Sequence, residues 1–154
     1  MYRLGIDIGS VSINAAVLNE KGSIFTSQYI RHKGKPFHVA RDVIEQTLRD
    51  FDIEFVATTG AGAKMFASLI GSPFINEIVA ISRAMGNLYP STGSVIDIGG
   101  EDSKLIIFEH TGKTNIPLRV KDFSMNALCA AVLLLSMSAL CSGSARNHSA
   151  RRWA

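Results

Sequence analysis

Two segments of this chain repeat one pattern about 90 residues apart: Gly5-Ile6-Asp7-Ile8-Gly9-Ser10 and Val95-Ile96-Asp97-Ile98-Gly99-Gly100. Each is an apolar run holding one Asp. Each ends in Gly plus a small residue and leads into a second β-type run, Ser12–Leu18 or Ser103–Phe108. An Asp set between isoleucines in a buried strand is costly unless it has a partner. Held at a strand end, it binds Mg²⁺ directly or through water. The glycine turn has no side chains to obstruct a phosphate. Its backbone N–H groups, with the hydroxyls of Ser10, Ser12 and Ser103, are donors for phosphate oxygens. One such hairpin alone is better explained as a tight turn with a capping Asp. Two facing copies would grip a triphosphate from both sides, and phosphoryl transfer requires mainly such positioning and charge neutralisation.

The rest of the pattern fits an α/β domain. Arg3–Ile8, Ser12–Leu18 and Ser23–Ile30 read as three strands joined by tight turns, with Ile13, Ala15 and Val17 on one face. From His38 to Phe51 the apolar period changes to that of an amphipathic helix. Glu54–Thr59 reads as a short strand, and Ala63–Ile70 and Asn76–Leu88 as helices. Ser94–Ile98 and Ser103–Phe108 form a fresh hairpin, with His110-Thr111-Gly112-Lys113 as the next turn. A meander followed by alternating helices and strands implies a mixed sheet with helices packed on it.

Charge narrows the function classes. The formal net charge is +3, but residues 1–122 are balanced at 13 Lys/Arg against 13 Asp/Glu. The excess is Arg146, Arg151 and Arg152 in the tail. No basic face interleaved with aromatics is present, so a nucleic-acid partner has no support. The longest apolar stretch, Ala127–Leu140, falls short of the roughly 20 residues a spanning helix needs, so no membrane partner is expected. Cys129 and Cys141 make no disulfide framework, and a cytoplasmic location is expected.

Leu4-Gly5-Ile6-Asp7-Ile8-Gly9-Ser10-Val11-Ser12 resembles the first phosphate motif of the actin, hexokinase and Hsp70-like ATPase superfamily. Val95 to Lys104 resembles the second, and Pro73-Phe74-Ile75-Asn76-Glu77-Ile78 the start of the connecting helix. Asp122-Phe123-Ser124-Met125-Asn126, followed by Cys129-Ala130-Ala131, resembles a cluster-binding segment. Together these resemble the activators of 2-hydroxyacyl-CoA dehydratases and the related benzoyl-CoA reductase ATPase subunits, over about residues 1–131. The resemblance implies a ribonuclease H-like, actin-type ATPase fold with a mixed five-stranded-type sheet. Residues 1–90 would be its first subdomain, 91–126 the start of the second and 127–154 a divergent tail.

The resemblance further implies a homodimer that binds Mg-ATP, shares one [4Fe–4S] cluster, and passes a low-potential electron to a dehydratase or reductase partner. Asp7 and Asp97 would organise Mg²⁺ and the attacking water, and Glu77 would help position that water. Gly9, Ser10, Val11, Ser12, Asn14, Gly99, Gly100, Glu101, Asp102, Ser103 and Lys104 would line the ATP site, and Cys129 would be a cluster ligand. Asn14 stands where family members usually carry Lys, which removes one charge from the phosphate site. After Ala131 the family pattern stops, and the arginine-rich, acid-free tail resembles out-of-frame translation; a natural short paralogue is the alternative. Cys141 matches no second ligand. Two other functions fit the same motifs: a non-catalytic nucleotide-binding or dimerisation module, and a sugar- or acetate-kinase-like member of the superfamily.

Overall fold

The computed structural model describes residues 1–126. The tail, with Cys129 and Cys141, lies outside the described residues. The elements, in chain order, are β1 (Tyr2–Ile8), β2 (Ser12–Leu18), β3 (Ile24–Arg31), α1 (Pro36–Asp50), β4 (Ile53–Thr59), α2 (Ala63–Ile70), α3 (Glu77–Leu88), β5 (Ser94–Ile98), β6 (Ser103–Lys113) and β7 (Ile116–Asn126). No helix among the described residues is long and apolar enough to cross a membrane.

The first sheet has the order β3-β2-β1-β4. β1 and β2 are antiparallel, as are β2 and β3, whereas β4 joins β1 in parallel. The sheet is mixed, as expected, but among the described residues it has four strands, not five. The place beside β4 is taken by a single parallel bridge between Thr58 and Phe74. Pro73 lacks an N–H and so cannot continue a ladder. Its carbonyl instead accepts from the Thr58 N–H at 3.0 Å.

The core of this lobe follows from period-two alternation. Leu4, Ile6 and Ile8 of β1 are buried together with Ile13, Ala15 and Val17 of β2, the predicted face. Ala40 and Val43 of α1, and Ala63 and Phe66 of α2, close over them. α1 begins at Pro36, two residues earlier than its apolar period predicts, because proline fits the first helical turn, where no N–H partner is needed.

The second sheet, β5-β6-β7, is antiparallel throughout. β6 runs past Phe108 to Lys113, so the turn expected at His110–Lys113 is instead an irregular strand end. Gly112 sits there at φ 70°, and the chain reverses just beyond it. β7, unforeseen as a strand, then pairs along β6 to Asn126. α3 packs on this sheet: Ile78, Ile81 and Met85 lie against Ile106, Phe108 and Leu118. Gly86 lets the helix approach closely, since a Cβ there would stand 3.3 Å from Pro117. On the opposite face, Ile96, Ile98, Leu105 and Ile107 are exposed, Ile96 to 65%.

Candidate nucleotide-phosphate site

The two repeats fold into the same turn. The Gly9 N–H donates to the Ser12 carbonyl at 3.0 Å, and the Gly99 N–H donates to the Asp102 carbonyl at 2.8 Å. A Cβ would stand 3.2 Å from that carbonyl in both cases. The strand registers also correspond: Asp7 faces Asn14 across β1–β2, and Asp97 faces Lys104 across β5–β6. The turns abut. A side chain on Gly100 would collide with Val11 and stand 3.0 Å from the Ser10 hydroxyl.

Between the hairpins lies a cleft of about 680 Å³. Asp7, Gly9, Ser10, Val11, Ser12 and Asn14 line one wall. Asp97, Gly99, Gly100, Glu101, Asp102 and Lys104 line the other, and Glu77 enters from α3. Of the expected set, Ser103 does not join them. It is buried and pairs with Ile98, on the face of β6 opposite that of Lys104. Alternation therefore gives Asp102, not Ser103, the place that Ser12 takes in the first hairpin. A larger groove of about 980 Å³, bordered by Lys21, Gly86, His110 and Lys113, contains none of the expected residues.

Five carboxylates and two cations, Arg31 and Lys104, line the cleft. The Lys104 ammonium is held 2.8 Å from Asp102, 2.9 Å from Glu77 and 3.8 Å from Asp97. Burial alone would lower its pKa. The hydrogen bonds to Asp102 and Glu77, and their charges, outweigh that and raise it, so Lys104 stays protonated. Glu77 occupies the first turn of α3, where the helix dipole favours an anion. Asn76 caps that helix through the Ile78 N–H at 2.9 Å.

Asp7 is held differently. Burial raises its pKa first of all; the Asn14 amide, donating at 3.0 Å, lowers it. The charges of Glu77 and Asp97 raise it further, and Lys104 partly offsets them. Beneath it, Gly60 at φ 105° allows β4 to end against Asp7, because any Cβ would collide with the Asp7 carboxylate and the Ile8 carbonyl.

Several cleft residues escaped the sequence analysis. Thr59 is the β4 neighbour of Asp7, and its hydroxyl is buried with no hydrogen-bond partner among the described residues. Tyr29 and Arg31 come from β3, opposite Asn14 and Ser12. Counting the register outward from the Asp7 turn would have found all three. The pKa of the exposed Tyr29 is lowered by hydrogen bonding to Arg31 first and to Ser12 second. Next to them, His32 clamps the first turn. Its Nδ1 accepts from the Gly34 N–H at 3.2 Å, which leaves Nε2 to donate to the Gly9 carbonyl at 3.2 Å.

No group of three or more His, Cys, Asp or Glu among the described residues forms a metal cage. Mg²⁺ does not require one. It commonly binds through one or two carboxylates plus substrate phosphates and retained waters. Asp7 and Asp97 on facing walls, the excess of carboxylates and the unpartnered Thr59 hydroxyl fit a hydrated cation carried in with a phosphate chain.

A mixed sheet with helices on it, and two Asp-Ile-Gly turns closing on one cleft, define a ribonuclease H-like, actin-type ATPase fold. The chain belongs to the BadF/BadG/BcrA/BcrD ATPase family, whose pattern it matches over residues 4–132. It is 31% identical to the activator of lactoyl-CoA dehydratase of Anaerotignum propionicum, over 85% of this chain and 49% of that protein. The solved activator of 2-hydroxyisocaproyl-CoA dehydratase from Clostridium difficile, with bound ADPNP, superposes with a TM-score of 0.67 at 26% identity. That match covers 97% of this chain and 59% of the other. Component A of (R)-2-hydroxyglutaryl-CoA dehydratase from Acidaminococcus fermentans gives a TM-score of 0.69 at 26% identity, over 92% of this chain and 54% of that one. The chain thus spans about half the length of the relatives it matches.

Proposed function

We propose that this chain is the ATP-binding and ATP-hydrolysing part of an activator of a 2-hydroxyacyl-CoA dehydratase, or of the related benzoyl-CoA reductase type. It would work in the cytoplasm as a homodimer. The observation that carries the reading is the doubled Asp-Ile-Gly turn around one cleft. The family match and the ADPNP-bound neighbour support it.

In this reading the backbone N–H groups of the two turns and the Ser10 and Ser12 hydroxyls hold phosphate oxygens. Asp7 and Asp97 hold a hydrated Mg²⁺, which supplies charge neutralisation on the phosphates. Glu77, pinned by Lys104, accepts a hydrogen bond from the attacking water and orients it. Thr59 adds a second oxygen for a water on the Asp7 side. The proposed [4Fe–4S] cluster takes thiolate ligands, and Cys129 is the candidate ligand in this chain. Cys129 lies outside the described residues, and no electron-transfer step runs through it in this reading.

The test is calorimetric titration of the 154-residue chain with Mg-ATP, followed by a hydrolysis assay. The reading expects binding that weakens when Mg²⁺ is chelated, and hydrolysis that is lost in Asp7→Asn. Absence of Mg-ATP binding overturns it. Binding without Asp7-dependent hydrolysis leaves a non-catalytic nucleotide module, and transfer of phosphate to a sugar or acetate makes the chain a kinase.

A further inference from the structure

The two hairpins are alike in backbone but not in charge. Across from Asp97 stands Lys104; across from Asp7 stands the neutral Asn14. Lys104 is already engaged by Glu77, Asp97 and Asp102, so it has little capacity left for a phosphate. The first wall therefore has no cation of its own on β1 or β2 facing the cleft. Arg31, at the end of β3, stands next to it. It is the cross-strand partner of Ser12, and residues paired across a sheet share a face. It lines the cleft and makes no ion pair among the described residues.

The end of β3 is also tied to the phosphate turn. The His32 N–H donates to the Val11 carbonyl at 3.3 Å, and the His32 ring bonds the Gly9 carbonyl at 3.2 Å. His32 is buried, so the strand end carrying Arg31 is fixed to the turn that Gly9 and Ser12 build.

We infer that Arg31 is a phosphate-contacting residue of the nucleotide site, and that it supplies to the first hairpin the positive charge that Asn14 lacks. A guanidinium presents several donors in a planar fork, which matches phosphate oxygens and loses little on being ordered. His32 acts through the turn and is a positioning residue. This inference rests on the proposed nucleotide site and adds to it the group that neutralises the phosphate chain on the β3 side.

The experiment is Mg-ATP titration of the full chain in four forms: unaltered, Arg31→Gln, Arg31→Lys, and Arg31→Gln combined with Asn14→Lys. Arg31 is exposed on an edge strand, so the variants keep the fold, which circular dichroism checks. The expected result is a loss of roughly tenfold in affinity for Arg31→Gln, the scale of a charge-assisted hydrogen bond. Arg31→Lys loses less, and Asn14→Lys restores binding to the Gln variant, which a merely structural role for Arg31 does not permit. Unchanged affinity in Arg31→Gln overturns the inference while leaving the nucleotide site standing. Absence of binding in the unaltered chain overturns the site, and the inference with it.

Discussion

The β1–β2 and β5–β6 hairpins close the same turn on opposite sides of one cleft, yet they rest on different foundations. Behind the first, Ile6, Ile8 and Ile13 are buried under α1 and α2. Behind the second, Ile96 and Ile98 face outward. The first Asp is half-buried beside an amide; the second is more open and faces an ammonium held by three carboxylates. The glycine turn is thus a local structure, set by one N–H to carbonyl bond and the room to make it. Core packing and charge balance belong to each lobe separately. A phosphate site assembled this way has one wall backed by a core on its far face and one wall whose packing against α3 lies on the same face as its ion cluster.

The contrast in foundations is the easiest to break. Ile6→Ala should cost about 3 kcal/mol of folding stability, the usual scale for emptying a packed core position. Ile96→Ala, at the matching place in the second hairpin, should stay within about 0.5 kcal/mol. Urea melts of both variants measure the difference. Equal losses would mean that the outward face of the second sheet is covered in solution.

The charge contrast comes next. Lys104→Met leaves Glu77, Asp97 and Asp102 facing one another. It should destabilise the chain by about 2 kcal/mol, less than a fully buried pair because the three carboxylates are partly exposed. The loss should shrink in acid as those carboxylates protonate. A loss that does not vary with pH would argue against the cluster.

Asp7 has the opposite sign. Its folded-state pKa lies above the ordinary 3.8, so the folded chain binds more protons than the unfolded one as pH rises from that value. Its contribution therefore falls from zero to a penalty across that window and persists above the folded pKa. Asp7→Asn should remove the penalty and raise stability at neutral pH by about 1 kcal/mol, even as it abolishes hydrolysis. Thermal melts between pH 4 and pH 8 check this; an unchanged pH profile in the variant would contradict it. The smallest effect is expected from Asn14→Lys, which makes the two hairpins alike in charge. It should lower the Asp7 pKa and tighten Mg-ATP binding by a few-fold, read by titration.

Much of this contrast was visible in the sequence because both turns announce themselves locally. Asp7-Ile8-Gly9 and Asp97-Ile98-Gly99 predicted their hairpins, and the burial of Ile13, Ala15 and Val17 followed from alternation alone. Non-local placements were harder to see. α3 reads as an amphipathic helix, but nothing in its period says that Ile78, Ile81 and Met85 pack on a sheet formed later in the chain. β7 was missed because Pro117 and Asp122 interrupt an otherwise alternating run. Thr59 and Arg31 reach the cleft only through strand pairing, with β1 in parallel for one and β2 antiparallel for the other. Ser103 looked equivalent to Ser12 by composition. One residue of register put it on the far face and brought Asp102 in instead.

The central claim is that both turns belong to one nucleotide-phosphate site. The most direct measurement is a Mg-ATP titration of the ¹⁵N-labelled chain, following the backbone amides of Gly9, Gly99 and Gly100 by NMR. The account predicts that all three shift together along a single binding curve and that Asp7→Asn weakens that curve for both walls. Shifts confined to one hairpin, or two curves with different midpoints, would contradict a shared site.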